Sequence, residues 1–275
     1  MSLSVRGVHY AYRRREVLKG ISFEAEGREI LTIMGPNGSG KTTLLKCLNR
    51  IHDPEAGTIS YEGTDVRRMP RRTLARCMSY VPQDHGTVFP ISVVDTIMMG
   101  RIPHAGMRIS KADRDVAFEA LELMGLHGLA FRPINELSGG ERQRVVIARA
   151  LAQQTPVVLM DEPTASLDVR NQLETMSLLR SVVEDNGLIA ILSLHDINLA
   201  SMFSHRVAML KEGRLLESGP VEQVINEANL KSVYGVDTVV NNRSSEIHVR
   251  LLKPAAPDEG PMSGGSRLNG RRERT

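Results

Sequence analysis

Gly35-Pro36-Asn37-Gly38-Ser39-Gly40-Lys41-Thr42 follows the apolar run Ile30-Leu31-Thr32-Ile33-Met34 and leads into Thr43-Leu44-Leu45-Lys46-Cys47-Leu48. That order predicts strand, tight loop and helix, the context in which a GxxxxGK[ST] motif binds phosphate. The glycines let consecutive backbone N–H groups curl around one anion, and the helix start adds its positive end. Lys41 supplies a charge for β- and γ-phosphate oxygens, and Thr42 a hydroxyl that can ligate Mg²⁺. A phosphate loop between a buried strand and a helix points to an α/β fold.

Further along, Val157-Val158-Leu159-Met160 reads as a central parallel strand, and it ends in Asp161-Glu162. Ligands bind at the carboxyl ends of such strands. Of two adjacent acids there, one can hold Mg²⁺ through its water and the next can orient or deprotonate an attacking water. Asp161 is expected at the metal and Glu162 at the water.

A second helix opens with Leu137-Ser138-Gly139-Gly140-Glu141-Arg142-Gln143-Arg144. Ser138 and Glu141 form a capping box, and the two glycines after the cap bare the helix N–H groups as a second anion site. One nucleotide could not easily reach both this site and the loop of Lys41. A second subunit would solve that.

With these motifs the chain resembles the ABC ATPase family over about residues 3–240. Residues 137–144 look like its signature, 35–43 its phosphate loop and 157–163 its magnesium strand. Tyr12, 29 residues before Lys41, stands where the family stacks an aromatic on adenine. Gln83 in Val81-Pro82-Gln83-Asp84 resembles the Q-loop, Ser166-Leu167-Asp168 the D-loop, and His195 the switch histidine.

The resemblance implies a P-loop NTPase with a RecA-like mixed-sheet core, an antiparallel β edge and an inserted helical subdomain. It implies a head-to-tail homodimer with two ATP molecules at the interface. Each would be held by Tyr12, the loop Gly35, Pro36, Asn37, Gly38, Ser39, Gly40, Lys41, Thr42 and Thr43 of one subunit, with Ser138, Gly139, Gly140, Glu141 and Asp168 completing the nucleotide sites across the interface. Catalysis is expected from Lys41, Glu162, His195 and Gln83, with Mg²⁺ on Thr42, Gln83 and Asp161. The motor would work on two membrane-spanning permease subunits, served indirectly by a periplasmic or extracellular substrate-binding protein.

The chain as a whole agrees with this. Its 275 residues are enough for a full core, and with no Trp and only 4% aromatics that core must be built from Val, Ile, Leu, Met and Ala. A formal charge of +3 is too small to mark a nucleic-acid partner. Cys47 and Cys77 stand alone, without CxxC or Cys/His clustering, which fits a reducing cytosol. The apolar runs fall short of the ~20 residues needed to span a bilayer, and the first residues lack the apolar core of a signal peptide. The expected place is the cytoplasmic face of the membrane.

Strand patterns at 3–8, 29–34, 78–82, 157–160, 188–194, 206–211 and 214–218 predict a mostly parallel sheet with an antiparallel edge. Helical periodicity takes over at 111–124 and 139–152. The expected organisation is a discontinuous nucleotide-binding core at 1–85 and 156–240, a helical subdomain at 86–155, an extension at 241–254, and a disordered tail at 255–275. The tail's Arg267, Arg271, Arg272 and Arg274 are read as solvated.

No Asn-Lys dipeptide is present for guanine reading, and Lys41 and Ser138 are only 97 positions apart, too close for an intervening coiled coil. GTPases and chromosome-structuring ATPases are thereby set aside. Phe89-Pro90-Ile91-Ser92-Val93-Val94-Asp95, on through His104, is similar to the branch serving ferric siderophore, haem and cobalamin importers, as is Val233-Tyr234-Gly235. Molybdate or tungstate importers look alike here, and some exporters use separate ATPases too.

Overall fold

The computed structural model describes residues 1–83, 90–106, 108–243 and 246–255. The expected tail, its four arginines, and Asp84 and Phe89 of the quoted motifs lie outside the described residues, Ala255 excepted.

A six-stranded sheet carries the molecule, in the order β10-β9-β3-β8-β7-β6. Its strands are β3 (Glu29–Met34), β6 (Met78–Val81), β7 (Val157–Asp161), β8 (Ile189–Ser193), β9 (Arg206–Lys211) and β10 (Arg214–Pro220). Five run parallel and β10 is antiparallel at one edge. Their side chains alternate between two cores, as the pleat demands. Ile30, Met34, Val158, Met160, Ala190 and Leu192 face one, and Leu31, Ile33, Val157, Leu159, Ile189 and Ile191 face the other. Burial on both faces explains why these strands are continuous apolar runs.

A second, four-stranded antiparallel sheet, β2-β1-β4-β5, covers one face. It comprises β1 (Ser2–Tyr12), β2 (Arg15–Glu26), β4 (Ala56–Tyr61) and β5 (Thr64–Asp65). Residues 3–8 therefore belong to a separate sheet, not to the parallel one. Between the sheets lie α1 (Lys41–Leu48) and α2 (Arg71–Cys77).

The opposite core packs α3 (Val93–Met98), α4 (Lys111–Leu123), α5 (Gly139–Ala152), α6 (Val169–Asn186), α7 (Ile197–Phe203), α8 (Val221–Val224) and α9 (Glu227–Tyr234). Both α4 and α5 start with capping boxes, Ser110 with Asp113 and Ser138 with Glu141. A buried ion pair, Arg101 Nε to Asp113 at 3.1 Å, ties the turn after α3 to α4. Arg101 Nη1 also donates to the Ala152 carbonyl at 2.8 Å and to Gln154 at 2.9 Å, which joins the end of α5 to the same buried guanidinium. Hydrogen bonds from Ser110, and then Arg101, hold the Asp113 carboxyl at about 2.

The chain closes with a hairpin, β11 (Val236–Arg243) and β12 (Glu246–Pro254), docked on α7. Asn198 of α7 acts as a peptide stand-in, donating to the Val249 carbonyl at 3.1 Å and accepting its N–H at 2.8 Å. Ile247 and Val249 enter the core.

At Gly100 the turn after α3 meets α5 so closely that an added Cβ would stand 2.2 Å from the Arg149 carbonyl oxygen. Gly100→Ala is expected to cost about 1–3 kcal/mol, because backbone has to move. A lowered urea midpoint would show it, and an unchanged midpoint would contradict the contact.

Candidate active site

The strand order brings four carboxyl ends together. In register, Ile33 of β3 and Asp161 of β7 both pair with Ser193 of β8, and Val81 of β6 pairs with Met160 of β7. The residues that follow, Gly35–Thr42, Glu162, His195 and Gln83, therefore leave the sheet side by side.

The loop after β3 is shaped by its glycines. Gly35 has φ 151° and packs so tightly on β9 that a Cβ would lie 2.1 Å from the Leu210 carbonyl oxygen. Gly40, at φ 109°, stands as the N-cap of α1. Ser39 accepts from the Gly213 amide at 3.1 Å, which ties the loop to the turn between β9 and β10. The Lys41 ammonium folds back on the loop, donating to the carbonyls of Gly35 at 2.8 Å and Pro36 at 3.2 Å. Burial lowers the Lys41 pKa, and the charges of Glu162 and Asp161 pull it the other way.

Glu162 is a non-glycine residue at φ 50°, a strained conformation that a functional strand end can retain. Its amide donates to the Ser193 hydroxyl at 2.9 Å and lies 3.2 Å from the Ser193 carbonyl. The same hydroxyl donates to Asp161 Oδ1 at 2.6 Å. Of the Glu162 carboxylate, Oε2 accepts from the Gln83 amide at 2.7 Å and Oε1 meets His195 Nε2. The structure thus joins Gln83, Glu162 and His195 at one carboxylate.

These side chains line one end of a cleft of about 940 Å³, with Asn37, Gly38, Gly40, Lys41, Thr42 and Thr43 along it and Tyr12 also on its wall. Arg15, Val17 and Lys19 of β2 also line it, and the sequence reading missed them because they belong to no motif and only the fold brings β2 to the phosphate loop. Ser193 was missed too, although its signal was visible as the polar end of an otherwise apolar strand.

The signature residues lie elsewhere. Ser138 and Glu141 engage each other, at 2.8 Å from the Ser138 amide and 3.3 Å from the Glu141 amide, and the Ser138 hydrogen bonds hold the Glu141 carboxyl low. Asp168 caps α6, accepting from the Asn171 amide at 2.8 Å. A Cβ on Gly140 would sit 3.3 Å from Leu167, so the signature and the 166–168 segment share one surface. Neither lines the cleft of Lys41.

A hard cation suits the donors present. Asp161 Oδ2 is buried without a hydrogen-bond partner, and the Thr42 hydroxyl and Gln83 amide line the cleft. Among the described residues no three His, Cys, Asp or Glu cluster as metal ligands, so nucleotide oxygens and water would have to complete an octahedral shell.

The family model described as ABC transporter matches residues 18–165. An uncharacterized ABC transporter ATP-binding protein of Methanocaldococcus jannaschii is 42% identical over 242 residues, covering 88% of this chain and 94% of the relative. The iron(3+)-hydroxamate import ATP-binding protein of Bacillus subtilis is 36% identical over 241 residues, 87% of this chain and 90% of the relative. Among solved structures, an inward-facing ABC transporter proposed to be of metal-chelate type aligns with a TM-score of 0.79 at 28% identity, covering 92% of this chain and 97% of that one.

Lys41→Ala should weaken ATP binding by at least about tenfold, given that hydrogen bonds to charged groups contribute roughly 1.5–3 kcal/mol. Calorimetric titration reads this directly, and undiminished affinity would remove Lys41 from the cradle.

Proposed function

The chain belongs to the ABC transporter family as an ATP-binding and ATP-hydrolysing subunit, and from that premise we propose that it powers import of a metal chelate, most nearly of ferric siderophore type. The similarity to the iron(3+)-hydroxamate import protein and to the inward-facing transporter supports this substrate class. Among the described residues no helix is long and apolar enough to cross a membrane. The substrate path then belongs to two permease subunits, on whose cytoplasmic face this chain sits.

The observation that carries the mechanism is the Glu162 carboxylate shared by Gln83 and His195 at the end of the Lys41 cleft. In the proposed reaction the triphosphate lies on the loop amides of 35–43, and Lys41 leaves the Gly35 and Pro36 carbonyls for phosphate oxygens. Tyr12 stacks on the base. Glu162 orients a water and accepts its proton as the oxygen attacks the γ-phosphorus and ADP departs. His195, released from Glu162, donates to the γ-phosphate. Thr42, Gln83 and Asp161 would hold Mg²⁺, which supplies neutralisation of phosphate charge.

Because Ser138–Glu141 and Asp168 present a separate surface, the proposal needs two copies arranged head to tail, each lending its signature helix to the other's nucleotide. ATP joins the copies, and loss of the γ-phosphate lets them part and pull on the permeases.

Glu162→Gln keeps the hydrogen-bonding shape but not the base. It should retain ATP binding, lower turnover by about 10²-fold or more, and elute as an ATP-dependent dimer. Turnover at the parent rate would remove Glu162 as the base. Reconstituted with its permeases, the motor should hydrolyse ATP faster when a ferric siderophore and its binding protein are added. Stimulation by molybdate instead would reassign the substrate.

A further inference from the structure

Tyr12 ends β1 at the rim of the cleft and is 44% exposed, so its ring depends on neighbours for a fixed orientation. One neighbour meets it on both its polar and its aromatic side. His52 Nε2 lies 2.7 Å from the Tyr12 hydroxyl, and the two rings stand edge to face, with centroids 5.3 Å apart at 88°. Tyr10 closes the triangle, stacked on His52 at 5.0 Å and 18° and edge-on to Tyr12 at 5.0 Å and 87°. Offset stacked and T-shaped pairs are the favoured geometries of aromatic contact.

His52 is itself held firmly. It follows α1, the helix that Lys41 begins, and its amide donates to the Lys46 carbonyl at 3.1 Å, as does that of Ile51 at 2.8 Å. Arg50, at φ 53°, makes the turn and is anchored to the Met69 carbonyl at 3.0 Å. The Glu55 amide then bonds the His9 carbonyl at 2.9 Å, returning the segment to β1. Burial, then the Lys46 charge, keeps the His52 ring below the ordinary imidazole range, and a neutral ring can exchange one hydrogen bond with a phenol in either sense.

We infer that His52 is a positioning residue for the nucleobase: it fixes the Tyr12 ring by a hydrogen bond and an edge contact, and so sets affinity at the base end of the cleft. The two ends of α1, about 12 Å apart, thereby serve both ends of the nucleotide, Lys41 beginning the helix at the phosphates and His52, four residues past its last, standing behind Tyr12. The inference rests on Tyr12 stacking the base, as proposed above.

Calorimetric titration of the full chain with Mg²⁺ present, comparing ATP with tripolyphosphate, separates base from phosphate. His52→Ala should weaken ATP by roughly 2- to 10-fold, the scale of ordering one side chain, while tripolyphosphate affinity stays the same. In steady-state hydrolysis KM for ATP should rise with kcat unchanged. His52→Asn, which keeps an amide to meet the phenol, should recover part of the loss, and His52→Ala added to Tyr12→Phe should cost less than the sum of the two. Should His52→Ala fail to fold, His52→Phe, which keeps the ring without the hydrogen bond, makes the same comparison. Equal losses for ATP and tripolyphosphate would overturn the inference, since His52 would then support α1 only. Unchanged ATP affinity in His52→Ala beside a loss in Tyr12→Ala would overturn it while leaving base stacking intact. Unchanged affinity in Tyr12→Ala would remove base stacking, and the inference with it.

Discussion

The Ser193 hydroxyl, donating to Asp161 and accepting from the Glu162 amide, is the contact on which the reacting end of the cleft depends. It joins the end of β8 to the end of β7 where both are fully buried, and it engages one oxygen of Asp161 while the other remains unpartnered. A buried carboxylate oxygen without a partner costs free energy, a cost that a bound cation would offset. The same contact holds Glu162 at its left-handed φ and aims its carboxylate between Gln83 and His195. Strain here is sustained by the ladder beneath it.

Around that contact the molecule divides by rigidity. The cradle is backbone pressed on backbone: Gly35 against the Leu210 carbonyl, and Ser39 against the Gly213 amide. The helical segment α3–α5 is joined to the core through Gln83 on one side and the α5–β7 connection on the other. Within it the Arg101–Asp113 pair and the Gly100 contact with Arg149 hold the helices as a unit.

The C-terminal elements also reach the site. Asn198 clips β12 to α7, the helix that starts two residues after His195. Tyr234 of α9 has a buried hydroxyl without a hydrogen-bond partner; burial pushes it up to about 12, and the nearby Gly35 amide pulls the other way. The extension expected at 241–254 is thus packed on the helix that follows His195, and α9, part of the expected core, reaches the Gly35 loop.

The sequence alone determined the parts whose physics is local. Strand, glycine loop and helix at 30–48, the apolar run ending in Asp161-Glu162, and the Ser138–Glu141 capping box each need only neighbours within a few residues. Chain continuity and periodicity therefore exposed them. Tertiary structure decided what depends on distant chain. The alternation of Ile21, Phe23 and Ala25 with polar neighbours marks β2 as a half-buried strand, but which elements cover that face, β1 and α1 among them, was decided by the fold. The pairing of Asp161 with Ser193, of Tyr12 with His52, and of Asn198 with β12 joins residues 32, 40 and 51 positions apart. Such contacts leave no periodic trace, because closing a long loop is rewarded only by the packing that the whole fold supplies.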